Sequence, residues 1–475
     1  MRCIERLGAI LLIVSILASG SASGANEGVA LTVYNGGYGV VREIRKVDVG
    51  DDGHVRFQDV ATGIDATTVH FKSLTDPAAK LLEQNYQYDL VSADKLLRRY
   101  IDRPIEVIAP GTSYEGRLLS FDTQQLVLQD VDGITMVQRP HNVRDIRFGP
   151  LPEGLITRPT LLWMIATRRS GEHLAEVTYQ TTGLNWHAEY VLVLGDDDTT
   201  ADLSGWVSVE NNSGKRYASA RLKFVAGDVH RVAPRTNRHK RGVLYAAVAE
   251  RDESSMQEKA FFEYHLYTLP RRSTVADREV KQLEMFPPVA GLTVAKRFLY
   301  NPLGHFRHGG GRHLNREYGI SSEKKVRVFI EFENAEKNGL GIPLPAGKIR
   351  VFKQDPEDGA LEFVGEERID HTPKDEELSL QIGNAFDIVG QRRQTDFRLE
   401  KHRNWMRESI EIKIRNHKEK AVDVRIKEPI SRWSNWQITE RSHDFAKLDA
   451  GTVAFDVSVP AEGTTATTYT VEYAW

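Results

Sequence analysis

The sequence predicts an all-β protein: a small N-terminal β domain, a small barrel of the SH3 or Sm-like kind, then one or two β-sandwich domains. Three observations predict it. From residue 29 onward the chain runs in short alternating stretches rich in β-branched and aromatic residues, the period-two pattern of strands with one buried face. Those stretches are broken by Gly, Asn and Asp at turn positions, as in Asn35-Gly36-Gly37 and Asp51-Asp52-Gly53, which supply hairpin chemistry. The chain has 475 residues, 40% of them hydrophobic, with 63 Lys and Arg against 66 Asp and Glu. That is length for about three domains, each able to bury a core. A disordered or collagen-like chain and a dedicated polybasic nucleic-acid binder are excluded, so no nucleic-acid partner is expected.

The first 24 residues read as a signal peptide. Arg2 and Arg6 precede the apolar run Ala9 to Ala18, and small residues follow, the layout of a cleavable export signal. Cleavage is expected near Ala22 to Ala25, leaving a periplasmic or secreted protein. The run is far short of the ~20 residues a spanning helix needs, and no later segment approaches it. Cys3 is the only cysteine and precedes the apolar run, so lipidation is not expected. The mature chain then has no disulfide, no Cys-ligated zinc and no thiol nucleophile.

Residues 25–93 read as the N-terminal β domain, with strands at Val29 to Tyr34, Tyr38 to Val49 and His54 to Val60. Ala93, Leu96, Leu97 and Tyr100 fall at helical spacing, which predicts a short helix over 92–100. Five strands follow within residues 94–150: 105–108, 113–121, 126–129, 134–138 and 143–148. Their tight links suit a small SH3-like barrel, since closure removes exposed edges; the alternative is a plain meander packed on its neighbours.

Pro150, Pro152 and Pro159 mark the next boundary. Residues 151–346 read as a β-sandwich whose first sheet takes the five strands 160–168, 173–182, 186–194, 201–211 and 220–232. A mobile surface insertion is expected near 233–259, where basic and acidic runs replace the alternation. Residues 347–475 read as a C-terminal β-sandwich, with its best strands at Glu408 to Arg415 and Thr468 to Trp475.

Several segments occur together in a known order: LEQNYQYDL at 82–90, TRPTLLW at 157–163, GLNWHAEYVL at 183–192, NNSG at 211–214, VAGDV at 225–229, GIPLPAG at 341–347 and GNAFD at 383–387. In these the chain resembles a bacterial family of uncharacterised exported proteins, whose C-terminal domain of unknown function also occurs in mucoidy-inhibitor-A-like proteins. The resemblance covers roughly residues 30 to 475. It implies export and a sandwich architecture, and it supplies no catalytic residues. By physics alone the two prolines and two glycines of residues 341–347 suit a rigid corner.

Chemistry-bearing groupings are few. His305, His308 and His313 surround three glycines in a loop, and imidazoles so spaced are able to close on Zn²⁺ or Cu²⁺. Arg307, Arg312 and Arg316 are interleaved and would repel a cation, so a solvated loop tip is the expectation and the role of the histidines stays open. Gly-x-Ser-x-Gly, His-Glu-x-x-His and P-loop patterns are absent. Trp405, Trp433, Trp436 and Trp475 cluster near the C-terminus, where core packing is the commoner use and a sugar-stacking platform the alternative. No catalytic, cofactor-binding or metal-ligating residue is assigned, and no cofactor is expected. The expectation is a non-enzymatic envelope protein acting as a binding or scaffold module through loops or sheet edges, with envelope proteins or glycans as partners. The alternative is a carbohydrate-binding or carbohydrate-active protein influencing exopolysaccharide.

Overall fold

Alternating residues become strands at nearly the expected bounds. Gly28–Tyr34, Tyr38–Val49 and His54–Gln58 open the chain, and the expected helix is present as Ala93–Arg99. Ser92 caps it, its hydroxyl accepting the Lys95 N–H at 3.4 Å, one of the donors a helix start leaves unpaired. The computed structural model describes residues 27–152, 155–227, 256–261, 264–304, 311–320 and 322–475. The expected signal peptide and residues 233–255 of the expected insertion lie outside the described residues. The protein is all-β, with several separate sheets. Among the described residues no helix is long and apolar enough to cross a membrane.

The chain forms two compact units and passes between them more than once. The first takes in Arg42–Val60 and Ala66–Tyr179, the second Ala30–Val41, Ala61–Asp65 and Gln180–Trp475.

In the first unit, strand Thr160–Ala166 lies between His54–Gln58 and Lys80–Gln87 in a three-stranded antiparallel sheet. The later part of Tyr38–Val49 lies beside Gly171–Thr182, which lies beside Ile64–Ser73. Aromatic rings join these layers: Phe57 stacks on Trp163 at 4.8 Å between centroids, and Phe71 tilts onto the same indole at 5.2 Å. Such offset pairs add to the area they bury. The strands Pro104–Ala109, Thr112–Phe121, Gln125–Gln129, Ile134–Gln138 and Asp145–Arg147 form a separate sheet. Its fifth strand pairs with its first, so Asp145–Arg147 and Ile134–Gln138 are its edges. Leu97 and Tyr100 from the helix join Val107, Leu118, Leu126 and Val137 in its core.

In the second unit, Gly28–Tyr34 pairs in parallel with Tyr217–Ala226, Ala30 opposite Arg221. A five-stranded sheet runs Glu279–Thr293, Thr200–Asn211, Leu184–Leu194, Gly347–Gln354, Leu361–Ile369. Trp186 from this sheet packs against Phe224 and Tyr267 of the other, and its indole N–H donates to the Val225 carbonyl at 3.1 Å. A nine-stranded sheet carries the rest: Trp436–Arg441, Thr464–Ala474, Trp405–Asn416, Glu377–Glu400, Lys325–Glu333, Ala295–Tyr300, Val422–Pro429, Thr452–Val459, Ala446–Asp449. It curls round a single core, because strands far apart in this order meet inside it: Phe455 stacks on Tyr469 at 5.7 Å.

Two expectations are corrected. The five strands assigned to one sandwich sheet are distributed over three sheets: Thr160–Ala166 in the three-stranded sheet, Gly171–Thr182 and Tyr217–Ala226 in the sheet containing Gly28–Tyr34, and the two between them in the five-stranded sheet. Alternation reports a buried face but not a neighbour, and here neighbours are chosen by parallel pairings such as Ala188 with Gly347, far apart in sequence. Residues 257–259, placed in the expected insertion, belong to strand Gln257–Phe261, paired with Tyr264–Thr268.

The expected rigid corner at 341–347 is built around Asn334, which is fully buried. Its amide donates to the carbonyls of Ile342 and Pro373, and its Oδ1 accepts the Gly341 N–H. Gly341 has φ of 79°, a left-handed conformation that glycine adopts without a Cβ penalty. Tyr267 and Tyr190 donate their hydroxyls to the carbonyls of Pro343 and Pro345, so a segment whose prolines lack N–H donors is held by side chains as well as by the backbone bridge between Leu344 and Thr372.

Candidate functional site

The densest chemistry among the described residues lies inside the nine-stranded sheet. Strand Trp405–Asn416 alternates buried and half-buried residues, and Glu408 occupies the inward phase shared by Met406, Ile410, Ile412 and Ile414. Val422–Pro429 does the same with Val424, Ile426 and Glu428. Two carboxylates therefore point into an apolar core, where an uncompensated charge is prohibitive. Each has a guanidinium. Arg392 Nε lies 2.8 Å from Glu428, and Arg432 Nε 2.8 Å from Glu408. Tyr469 donates to Glu428 at 2.6 Å, Tyr473 to Glu408 at 3.0 Å, and the Gln394 amide to Glu408 at 3.0 Å.

Arg432 also gathers a loop. Its NH1 and NH2 donate to the carbonyls of His313, Asn315, Arg316 and Tyr318 at 2.6–3.2 Å, and its own carbonyl accepts the His313 N–H. The planar fork is suited to several acceptors at once. Arg392 similarly donates to the Gly319 carbonyl at 2.7 Å. The segment 313–319 is thus wrapped on two buried cations.

Burial pushes the Glu428 carboxyl above the usual carboxylate range, with Arg392 and the Tyr469 hydroxyl pulling it back. Burial opposes the Arg392 charge, and Glu428 beside it outweighs that, so the guanidinium stays charged. Burial carries the Tyr469 and Tyr473 phenols well above their ordinary value. Oε2 of Glu428 has no hydrogen-bond partner among the described residues. Sealed from solvent, these groups meet no substrate. Their chemistry is that of a clamp holding a loop to a curled sheet.

The histidine loop is only partly described. His305 and His308 lie outside the described residues. His313 lays its ring flat on Tyr318 at 3.8 Å. Among the described residues no group of three or more His, Cys, Asp or Glu is placed to hold a metal ion. Three of the C-terminal tryptophans, Trp433, Trp436 and Trp475, pack partly buried against the same core. The Arg312 guanidinium sits 5.5 Å from the Trp433 ring and 5.6 Å from the Trp475 ring, and Lys447 lies 4.8 Å from Trp436, so the chain's own cations cover those rings.

Sequence reasoning missed a serine–histidine contact in the first unit. Ser73 Oγ lies 3.0 Å from His173 Nδ1, and His173 Nε2 lies 2.8 Å from the Arg169 carbonyl. A carbonyl only accepts, so the ring proton sits on Nε2 and Nδ1 takes the serine O–H. The Asp76 N–H donates to the same Oγ, and both side chains are buried, so the contact ties the ends of two strands. Nothing in the sequence brings two residues 100 positions apart together.

Two surface features remain. An open cleft of about 300 Å³ is lined by Arg297, Glu331, Glu333, Lys337, Asn338 and Glu377, among others, with Arg297 paired to Glu331 and Lys337 to Glu333. On Leu361–Ile369, the last strand of the five-stranded sheet, Leu361 and Phe363 are each 55% exposed, and Phe386 on Glu377–Glu400 is 93% exposed. Isolated apolar residues on a surface are ordinary, but neighbouring ones at the end of a sheet are what other chains bind. A scan against protein-family models finds no match for this chain, and a search of the curated proteins finds no significant relative.

Proposed function

We propose that the chain is an exported, non-enzymatic binding or scaffold module of the bacterial envelope, in the family whose ordered segments it shares. The strand Leu361–Ile369 carries this reading: at the end of the five-stranded sheet Leu361, Phe363 and Val364 stand exposed, ahead of Gly365, where the backbone of Ile382 on Glu377–Glu400 passes close. Extended segments of other proteins add to such edges, main-chain bonds giving affinity and side-chain contacts giving specificity. The first 24 residues support export. We also read 94–150 as an SH3-like small barrel, on the pairing of its fifth strand with its first and the helical turn Arg139–Asn142 before the fifth.

A photo-crosslinking amino acid placed at Phe363 in cells tests this, with Asp444, a solvated position in the link between strands Trp436–Arg441 and Ala446–Asp449, as control. A reproducible adduct at Phe363 and not at Asp444 is expected. Its absence at Phe363 would sink the edge-binding reading. Glycan binding is the second reading, supported by the open cleft that Arg297, Glu331 and Asn338 line together with Val294 and Phe332. A change in intrinsic tryptophan fluorescence across a panel of oligosaccharides is its measurement.

A further inference from the structure

From the outer face of the five-stranded sheet we infer that Trp206 is the stacking platform of a site for a neutral oligosaccharide. The inference rests on the glycan reading and gives it a site apart from the cleft.

Trp206 lies on Thr200–Asn211, a strand with neighbours on both sides, and it is 37% exposed. Leu203, Val207 and Val209 of that strand are buried, so the indole stands on the opposite, outward phase. Trp163, Trp186, Trp405 and Trp436 each donate their indole N–H within the chain. Trp206 donates its own to no described residue.

A single exposed aromatic is ordinary, but the setting of this one is polar. Glu189 on Leu184–Leu194 stands directly opposite Trp206 on one side, and Glu284 on Glu279–Thr293 directly opposite on the other. Residues so paired share a face of the sheet and lie close enough to act together. Gln282 follows on the same face, opposite Ser208. The ring is thus an apolar plane set between hydrogen-bonding side chains. A pyranose has the matching form, a face of C–H bonds to lie on the ring and a rim of hydroxyls that both donate and accept.

Charge selects a neutral ligand. Arg350 and His187 both meet Glu189, while Lys348 Nζ lies 3.1 Å and Arg350 Nε 3.6 Å from Glu366. These groups neutralise one another and are held in place before any ligand arrives, which lowers the cost of binding. Glu284 and Gln282 remain as the groups beside the ring that no described residue engages. An anionic glycan would meet the Glu284 carboxylate, and a cationic peptide the charges of Lys348 and Arg350. A neutral sugar meets neither penalty, and Glu284 accepts from its hydroxyls while Gln282 both donates and accepts.

The test uses the full chain. Isothermal titration calorimetry with cellohexaose, maltohexaose and the N-acetylglucosamine hexamer should give a dissociation constant below about 1 mM for at least one of them. For that sugar Trp206→Ala should weaken binding about tenfold or more. Trp206→Phe, which keeps a ring, should retain most of the affinity and lose the change in tryptophan emission on binding. Residue 206 is solvent-facing, and an unchanged far-ultraviolet spectrum checks that both variants fold. Asn338→Ala, in the cleft, should leave the affinity as it was. Binding that survives Trp206→Ala and falls with Asn338→Ala would overturn this site and leave the glycan reading standing. No binding of any of the three sugars to about 1 mM would overturn both, and binding of hexalysine in their place would overturn the site as one for sugars.

Discussion

Arg392 and Glu428 form an ion pair at 2.8 Å inside the nine-stranded sheet, on strands separated in the sheet by two others. Tyr469, from a further strand, donates to the same carboxylate oxygen. The pair therefore crosses the interior instead of running along a ladder, and it exists only because the sheet curls.

Removing one partner should expose that dependence. Glu428→Gln leaves the Arg392 charge buried without its counter-ion and should lower unfolding stability by about 3–5 kcal/mol. The double variant Arg392→Met with Glu428→Met should recover most of that loss, because matched apolar groups need no compensation. Urea unfolding of the single and double variants measures it. Losses that simply add would show that the two residues are not coupled.

The loop clamp makes a second prediction. Lys at 432 keeps a positive charge but has no planar fork to reach the carbonyls of His313, Asn315, Arg316 and Tyr318. Arg432→Lys should speed tryptic cleavage at Arg316 several-fold while the far-ultraviolet spectrum stays unchanged. Unaltered cleavage would mean that the loop is held by something else.

At the proline-rich corner, Asn334→Asp replaces an amide donor with an acceptor facing the carbonyls of Ile342 and Pro373. Two buried acceptors lose their donor, and the expected cost is roughly 2–4 kcal/mol, read as a lowered denaturant midpoint. Asn334→Ser, which keeps a small donor, should cost less than the aspartate.

Asp198 sets an acid limb. Burial pushes its carboxyl up, but the ammonium groups of Lys296 and Lys353 outweigh that and hold it below the usual carboxylate range. Its folded value lies below its unfolded one, so its stabilisation is present above about pH 4 and is lost as pH falls through the depressed value. Asp198→Asn should flatten the loss of stability as pH falls below about 4. Asparagine tolerates the φ of 59° found there, so the substitution isolates charge from backbone strain.

Much of this was legible in the residues. Strand bounds, the Ser92-capped helix and the corner at 341–347 follow from alternation, capping chemistry and proline, all of which act over a few neighbouring positions. The buried clamp was half legible. Glu408 and Glu428 interrupt inward-facing apolar phases, a local signal that a charge is going inside, but their guanidinium partners sit on other strands. The tryptophan cluster was visible as composition, while the cover from Arg312 was not.

The sequence by itself determined the all-β class and which face of each strand is buried, because side-chain alternation, turn propensity and proline geometry are properties of adjacent residues. Only the tertiary structure decided which strands became neighbours and which buried charges met. The parallel pairing of residues 188 and 347, the Ser73 contact with His173 and the interior pair of Arg392 with Glu428 each join distant positions. Their partners are set by the closure of whole sheets over a core, which no local window contains.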